Sequence, residues 1–353
     1  MLIILWPSIS VSQEAVQGNR FAKVSTGYTL VFPRDYGAHP DFRIEWWYVT
    51  GWLETDDKKT LGFQVTFFRS STGHHPENPS QFAPKQLIIA HAALSDPSVG
   101  RLIYGEKSAR TGFDLAYAKE GDTNVKLDDW YFVRDADGHY QTKINAEKFG
   151  MQLSLIPTQK MILQGEHGFS RKGPNVEQAS YYYSEPHLKV AGTIKHQGKT
   201  LAVNGHAWLD HEWSSELLDS RADGWDWVSM NLFDGSSLMA FQIRGKDGAK
   251  LWAYAKFRNA AGEVRFFDPE QIEFIPERVW QSPHTNAVYP VEMRIRTGEI
   301  EWRLIPFFDD QELDSRRTTG AVYWEGAVRI FKEHQPAGQG YLELTGYESA
   351  LDL

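Results

Sequence analysis

The chain has 353 residues, a formal charge of −9 and no cysteine. That length can bury a full core without cross-links, and the missing thiols exclude disulfides, thiolate metal sites and cysteine nucleophiles. Basic residues are scattered singly, so nucleic acid is not an expected partner. Aromatic residues make up 14% of the chain while the apolar share is an ordinary 41%. That skew suits β-strands and a site that grips an apolar ligand.

The first residues carry a short apolar run, Leu2-Ile3-Ile4-Leu5-Trp6, followed by small residues around Ser8 to Ser12. An export signal has this apolar centre and small-residue end, although the positive leading segment is missing. Residues 1–20 are therefore expected to be a truncated export signal, with a periplasmic or extracellular protein as the consequence, or a disordered N-terminus, which leaves the cytoplasm open. No stretch reaches the length of apolar residues that a spanning helix needs.

Beyond it, period-two alternation predicts strands over 45–54, 61–69, 87–94, 129–135, 139–146, 151–157, 188–195, 200–210, 225–232, 237–244, 249–258, 291–296, 300–306, 321–331 and 341–347. Hairpin turns are predicted at Asp137-Gly138, Gln197-Gly198, Asp234-Gly235, Asp247-Gly248 and Thr297-Gly298-Glu299. So many strands exceed one small barrel and would fill two. Weak helical patterns fall only on 177–183 and 214–220, and the segments 70–85 and 165–178 read as long surface loops.

The chain echoes itself once. Glu45-Trp46-Trp47-Tyr48-Val49-Thr50 leads to a return strand with Phe63-Gln64, and Trp225-Asp226-Trp227-Val228-Ser229 leads to one with Phe241-Gln242. Self-similarity of this kind marks repeated units. It divides the chain into a first domain over 21–215 and a second over 216–353.

Candidate chemistry concentrates in Gly205-His206-Ala207-Trp208-Leu209-Asp210-His211-Glu212-Trp213. In an extended strand Trp208, Asp210 and Glu212 point one way while Leu209, His211 and Trp213 point the other. Only a bulge or a strand end near Asp210 would turn Asp210 and His211 toward one cavity. With that bend the pair would serve acid–base work; without it, both would satisfy backbone groups at a domain junction. Glu45 sits at the mouth of an apolar stripe formed by Trp47, Val49, Gly51 and Leu53, as a general acid or as the partner of Arg43 or Arg69. His91 lies in the apolar run 87–94, either satisfied within the core or serving a ligand.

Neither His74-His75 nor Asp210-His211-Glu212 has the spacing of a zinc site, and no phosphate loop or Gly-x-Ser-x-Gly elbow is present. No metal and no cofactor is expected.

Seven segments in order resemble one family: Glu45-Trp46-Trp47-Tyr48; Gly62-Phe63-Gln64-Val65-Thr66-Phe67-Phe68-Arg69; Ala90-His91-Ala92-Ala93-Leu94-Ser95-Asp96; Ser180-Tyr181-Tyr182-Tyr183-Ser184; Ala207-Trp208-Leu209-Asp210-His211-Glu212-Trp213-Ser214; Gly224-Trp225-Asp226-Trp227; and Gly340-Tyr341-Leu342-Glu343-Leu344-Thr345-Gly346-Tyr347. The sequence is similar to the AttH-like and carotenoid 1,2-hydratase-like proteins, a lipocalin-like branch of the calycin superfamily. The resemblance implies two tandem lipocalin-like antiparallel β-barrels, a large hydrophobic ligand, and a role in lipid or isoprenoid metabolism. Some family members hydrate a terpenoid double bond by acid–base catalysis, and related proteins shape cyclisations without a cofactor. The hydratases' Asp-His-x-Trp segment corresponds to His211 and Trp213, but the Tyr and Asp of their following strand have no counterpart in 237–242.

The expectation is a hydrophobic small molecule, a lipid or isoprenoid, held near the barrel junction by Trp46, Trp47, Phe63, His91, Tyr182, Trp213, Trp225 and Trp227. In an enzyme, Asp210 would orient His211 or act with Glu45. In a carrier the same groups would anchor a head group. A third class is an accessory protein of an export system, docked to a membrane or transporter.

Overall fold

The computed structural model describes residues 21–73, 78–80, 82–216 and 218–351. The export-signal reading of 1–20 and the His74-His75 pair lie outside the described residues. Apart from three short 3-10 turns, every regular element among the described residues is a β-strand.

The strands form two antiparallel sheets. In the first the spatial order is Ile103–Arg110, Gln86–Ser95, Thr60–Ser71, Ile44–Thr55, Lys199–Ser214, Ala179–His196, Phe149–Ile156, Tyr140–Asn145, Trp130–Arg134, Asn124–Leu127 and Ala116–Ala118. The last two strands return against Gln86–Ser95 and Ile103–Arg110, so the sheet curls nearly into a barrel. In the second the order is Val264–Phe267, Lys250–Arg258, Ser237–Gly245, Ala222–Leu232, Gln335–Thr345, Val322–Lys332, Ile300–Pro306, Val288–Thr297 and Ile272–Gln281. Each encloses its own apolar core: Val49, Phe63, Leu153 and Leu209 in the first, Val228, Leu238, Trp302 and Leu344 in the second. This is the tandem lipocalin-like architecture.

The five predicted turns all join paired strands. At Gln197-Gly198 and Asp247-Gly248 both central residues have positive φ, 49° and 74° in one, 63° and 73° in the other. Such turns match the twist of the flanking strands.

Three local expectations fail. The segment 177–183 is not helical, because the strand Ala179–His196 starts there, and Tyr181, Tyr182 and Tyr183 are all buried. A strand covered on both faces loses its alternation and cannot be told by period from a buried helix. The segment 165–178 is not a surface loop either: it holds the short strand Phe169–Arg171 and buries Ser170 and Lys172. Among the described residues, 214–220 forms no helix; the strand Lys199–Ser214 takes its first residue.

The internal echo has a structural counterpart. In the first barrel Glu45 on the opening strand accepts a hydrogen bond from Arg69 Nε on the return strand at 2.7 Å. In the second, Asp226 accepts one from Arg244 Nε at 2.9 Å. Both acids point into their own barrel, while the adjacent Trp46, Trp225 and Trp227 point out.

Those outward tryptophans make the seam. Tyr48, Trp52, Tyr182 and Trp208 of the first sheet pack against Trp227, Phe241, Ala327 and Tyr341 of the second. Trp52 Nε1 donates to the Gly340 carbonyl at 2.9 Å, and Leu102 N donates to Asp310 O at 2.7 Å. At Gly62 an added Cβ would come within 2.8 Å of Ala327 Cβ, so a glycine there lets the two sheets approach.

Candidate active site

The strand Lys199–Ser214 pairs with Ile44–Thr55 on one side and with Ala179–His196 on the other. Its register runs unbroken against Ile44–Thr55 from Val203 to Ser214, with no bulge at Asp210. Alternation therefore holds, and the bend that would unite Asp210 with His211 is absent. Asp210 faces the seam and His211 faces the first barrel. The reading in which Asp210 orients His211 or acts with Glu45 is overturned by this geometry.

On the barrel side, Glu45 and His211 do meet. His211 Nε2 lies 2.9 Å from Glu45 Oε1, and His39 Nδ1 lies 2.7 Å from the same oxygen. Arg69 Nε and the His39 amide hold Oε2, and His39 Nε2 reaches on to Asp35 at 3.3 Å. His211 Nδ1 is 3.1 Å from the Tyr183 hydroxyl. Two indoles close the cluster: Trp213 stacks on His39 at 3.7 Å between ring centres and Trp47 on His211 at 4.6 Å.

Burial pushes the His211 imidazole down to about 4, against the pull of Glu45, so it is neutral at pH 7. Glu45 is held well below the usual carboxylate range: His39 and Arg69, with the hydrogen bonds from both imidazoles, overcome the burial that would raise it. His39, Glu45 and His211 bring their ligand atoms within 4.8 Å of one another, a spacing that could hold a metal ion. The short contacts are nevertheless those of hydrogen bonds, and Arg69 already supplies the cation that balances Glu45. With both acidic partners paired and every ring packed, this cluster is a closed polar plug at the barrel end.

The seam side is chemically different. Asp210 accepts hydrogen bonds from Tyr182 Oη at 2.7 Å, Trp208 Nε1 at 2.7 Å and Ser184 Oγ at 2.5 Å. Trp227 Nε1, from the second sheet, donates to Tyr182 Oη at 3.1 Å. Among the described residues no cation pairs with Asp210, and burial raises its carboxyl to about 7 despite those three donors.

Three further acids share this face. Glu343 accepts from Trp225 Nε1 at 2.9 Å, and burial raises it to about 7, with Asp210 and Glu212 adding like-charge repulsion. Glu325 sits opposite Glu343 in the strand register and is raised well above its ordinary value by burial and by Glu343, against the opposing effect of Tyr48. Glu212 is neutralised by Lys172, whose Nζ lies 2.8 Å away and over the Tyr182 and Phe241 rings at 4.5 and 4.2 Å. Beside Trp208 and Tyr341 the seam leaves a cavity of about 20 Å³, room for one water. The site is thus a set of carboxyls with elevated proton affinity in an aromatic frame.

The expected ligand-binding set is split by this geometry. Tyr182, Trp225 and Trp227 frame the seam carboxyls, and Trp46 packs at the edge of the same cluster. Trp47, Phe63 and Trp213 lie behind them in the first barrel or its end and cannot line the same pocket, because alternation turns them to the other face. His91 is elsewhere in the seam, with Nδ1 2.7 Å from Tyr323 Oη and Nε2 2.9 Å from Thr318 Oγ1. Burial lowers it to about 3, so it is a neutral, satisfied imidazole.

Glu343, Glu325 and Lys172 went unread in the sequence. Glu343 alternates with Leu342 and Leu344, a pattern that reads as a solvent face unless a second sheet is known to cover it.

The model of the AttH-like family matches residues 23–347. The chain belongs to the AttH-like family. A crystal structure assigned as AttH from Nitrosomonas europaea is 62% identical, covering 93% of this chain and all of that one, with a TM-score of 0.87. This AttH-like chain also shares its fold with kievitone hydratase from Nectria haematococca, at 14% identity and a TM-score of 0.69 over 94% of this chain and 97% of that one. CghA in complex with Sch210972 is similar at 11% identity and a TM-score of 0.55, over 86% of this chain and 89% of that one. Among curated proteins none matches the chain. For the AttH-like chain, the low-identity neighbours establish the fold alone.

Proposed function

We propose that the protein moves protons with Asp210 and Glu343 on a hydrophobic, unsaturated molecule of lipid or isoprenoid kind, which reaches them when the packed seam around Trp208, Trp225 and Trp227 opens beyond its one-water cavity. The observation that carries this reading is the pair of carboxyls, both raised to about 7, on one aromatic face. A carboxyl poised near the working pH can give a proton and take one back within a single turnover. A carrier needs only the aromatic surface and gains nothing from burying unpaired acids, which cost stability.

In the proposed hydration, a neutral carboxyl of the pair delivers its proton to one carbon of a double bond. The adjacent carbon becomes electron-poor, with the indole faces of Trp225 and Trp227 beside it. Water adds to that carbon and its surplus proton passes to a carboxylate, restoring the starting state. Tyr182 and Trp208 keep Asp210 oriented, and Lys172 pairs with Glu212 beside it. The fold that carries these carboxyls is one that a protein named kievitone hydratase also has.

The test has two stages. Native mass spectrometry of freshly purified protein should show a co-purified apolar molecule. Incubation of a lipid and terpenoid extract in water labelled with oxygen-18 should then yield a product carrying one labelled hydroxyl with wild type and none with Asp210→Asn. Binding without incorporation by wild type would leave a carrier.

A further inference from the structure

A second pocket lies on the opposite face of the strand Ala179–His196 from the Asp210 partner Ser184. It is a cleft of about 480 Å³, within the size range of small-molecule sites. Its walls are the Asp137-Gly138-His139 turn, the segment from Pro157 to Met161, and Tyr36. The strand slips register between Glu185 and Leu188, where His187 takes φ 54°, and such irregularities re-aim side chains.

Glu185 forms the floor. It is 3% exposed, and among the described residues its one hydrogen bond is from Tyr140 Oη to Oε1 at 2.6 Å. Burial raises this carboxyl to about 7, against the opposing effects of Tyr140 and Arg134. Arg134 lies across the Tyr36 ring, 4.0 Å from its centre, with Nη1 3.2 Å from Asp122. Among the described residues its Nε is buried without a hydrogen-bond partner. Gly138 makes room for it, since a Cβ there would stand 2.8 Å from Arg134 Nη2.

The floor therefore offers a guanidinium and, near neutrality, a carboxylic O–H. Both are donors, and both ask for an oxygen acceptor. A guanidinium's planar fork matches a carboxylate, and an acid beside a carboxylate shares a proton with it. Asp122 already offsets part of the Arg134 charge, so a singly charged group is balanced where a dianion is not. Pro157 and Met161 supply apolar wall.

We propose that this cleft is a second binding site, taking an apolar molecule with a single carboxylate that is held by Arg134 and Glu185, its body resting on Tyr36, Met161 and Pro157. The site stands apart from the seam and does not depend on the proposed hydration. Affinity should fall as pH rises through 7, because ionised Glu185 would repel the ligand. The titratable groups facing Glu185 are Tyr140, Tyr36, Tyr183 and Arg134, with Asp122 behind the arginine and Asp137, His139 and Lys160 at the rim.

Isothermal titration with decanoate, decanol and decyl phosphate tests this. Decanoate should bind at least about tenfold more tightly than either of the others at pH 6, as a charge-assisted hydrogen-bond pair requires. Arg134→Met should remove that preference. Glu185→Gln should keep binding at pH 6 and abolish its loss between pH 6 and 8, while His139→Gln should leave the pH dependence as it is. Asp210→Asn should bind decanoate like wild type. Equal affinity for decanoate and decanol, tighter binding of decyl phosphate, an unchanged Arg134→Met, or an unaltered pH profile in Glu185→Gln would each overturn the proposal. So would loss of binding in Asp210→Asn alone, which would put the ligand in the seam.

Discussion

Asp210 and His211 are neighbours in the chain and strangers in the structure. Asp210 meets Tyr182 at 2.7 Å in the seam, while His211 meets Glu45 at 2.9 Å inside the first barrel. The two faces should answer mutation differently.

Asp210→Asn keeps the shape and the contacts with Tyr182 and Trp208 but removes the acidic proton. Turnover should fall by about 10²–10⁴, the usual worth of a positioned acid or base. Circular dichroism should be unchanged, and thermal stability should hold or rise, since a buried uncompensated acid has been taken away. Stopped turnover with unaltered binding of the apolar ligand is the pattern expected.

Arg69→Leu should act on the fold instead. Glu45 is wholly buried, and removing its cation leaves a charge in the barrel end. Breaking one partner of such a pair costs about 3–5 kcal/mol. Denaturant titration should show this loss, whereas turnover measured well below the melting temperature should stay close to wild type.

Stability should depend on pH from both sides. Asp210 and Glu343 are raised to about 7, so the native chain keeps protons that the unfolded chain releases near pH 4. Their contribution is complete below about pH 4 and is lost as pH rises through 7. Glu45 and Asp35 are depressed, so theirs is present above about pH 4 and is lost as pH falls toward their lowered values. Calorimetry should give a higher melting temperature at pH 6 than at pH 8, a decline in strong acid, and a weaker dependence between pH 6 and 8 for Asp210→Asn.

Gly205→Ala should be poorly tolerated although it adds one methyl group. The new Cβ would run into the Trp52 carbonyl and the Leu53 backbone across the strand pair. Backbone cannot move aside as a side chain can, so a loss of about 1–3 kcal/mol or more is expected in denaturant titration. By the same measurement Gly198→Ala, whose added carbon meets nothing but has φ 74°, should cost only the strain of that conformation.

Much of the architecture was legible in the chain. Alternation and Asx-Gly turns carry direct geometric meaning, so the strands around Trp46 and Trp227 and the hairpin at Gln197-Gly198 could be read without a structure. Tyr181, Tyr182 and Tyr183 could not, because burial on both faces erases the period. The opposite facing of Asp210 and His211 follows from strand geometry, and it held because no bulge intervenes. Which acids share a site was hidden: Glu325 and Glu343 face each other across one hairpin, but Asp210 comes from a strand far away in sequence, and only sheet packing brings it to them. His39 and Asp35 sit in an irregular segment that offers no period at all.

The strand Lys199–Ser214 is buried on both faces over its last half: Ala207, Leu209 and His211 belong to the first barrel, and Trp208, Asp210 and Glu212 to the seam. Each substitution along it therefore disturbs one layer and spares the other, because successive side chains point to opposite faces. The same strand that closes the first barrel is also the surface on which the second is seated, so the two halves cannot part without exposing Trp208, Asp210 and Glu212.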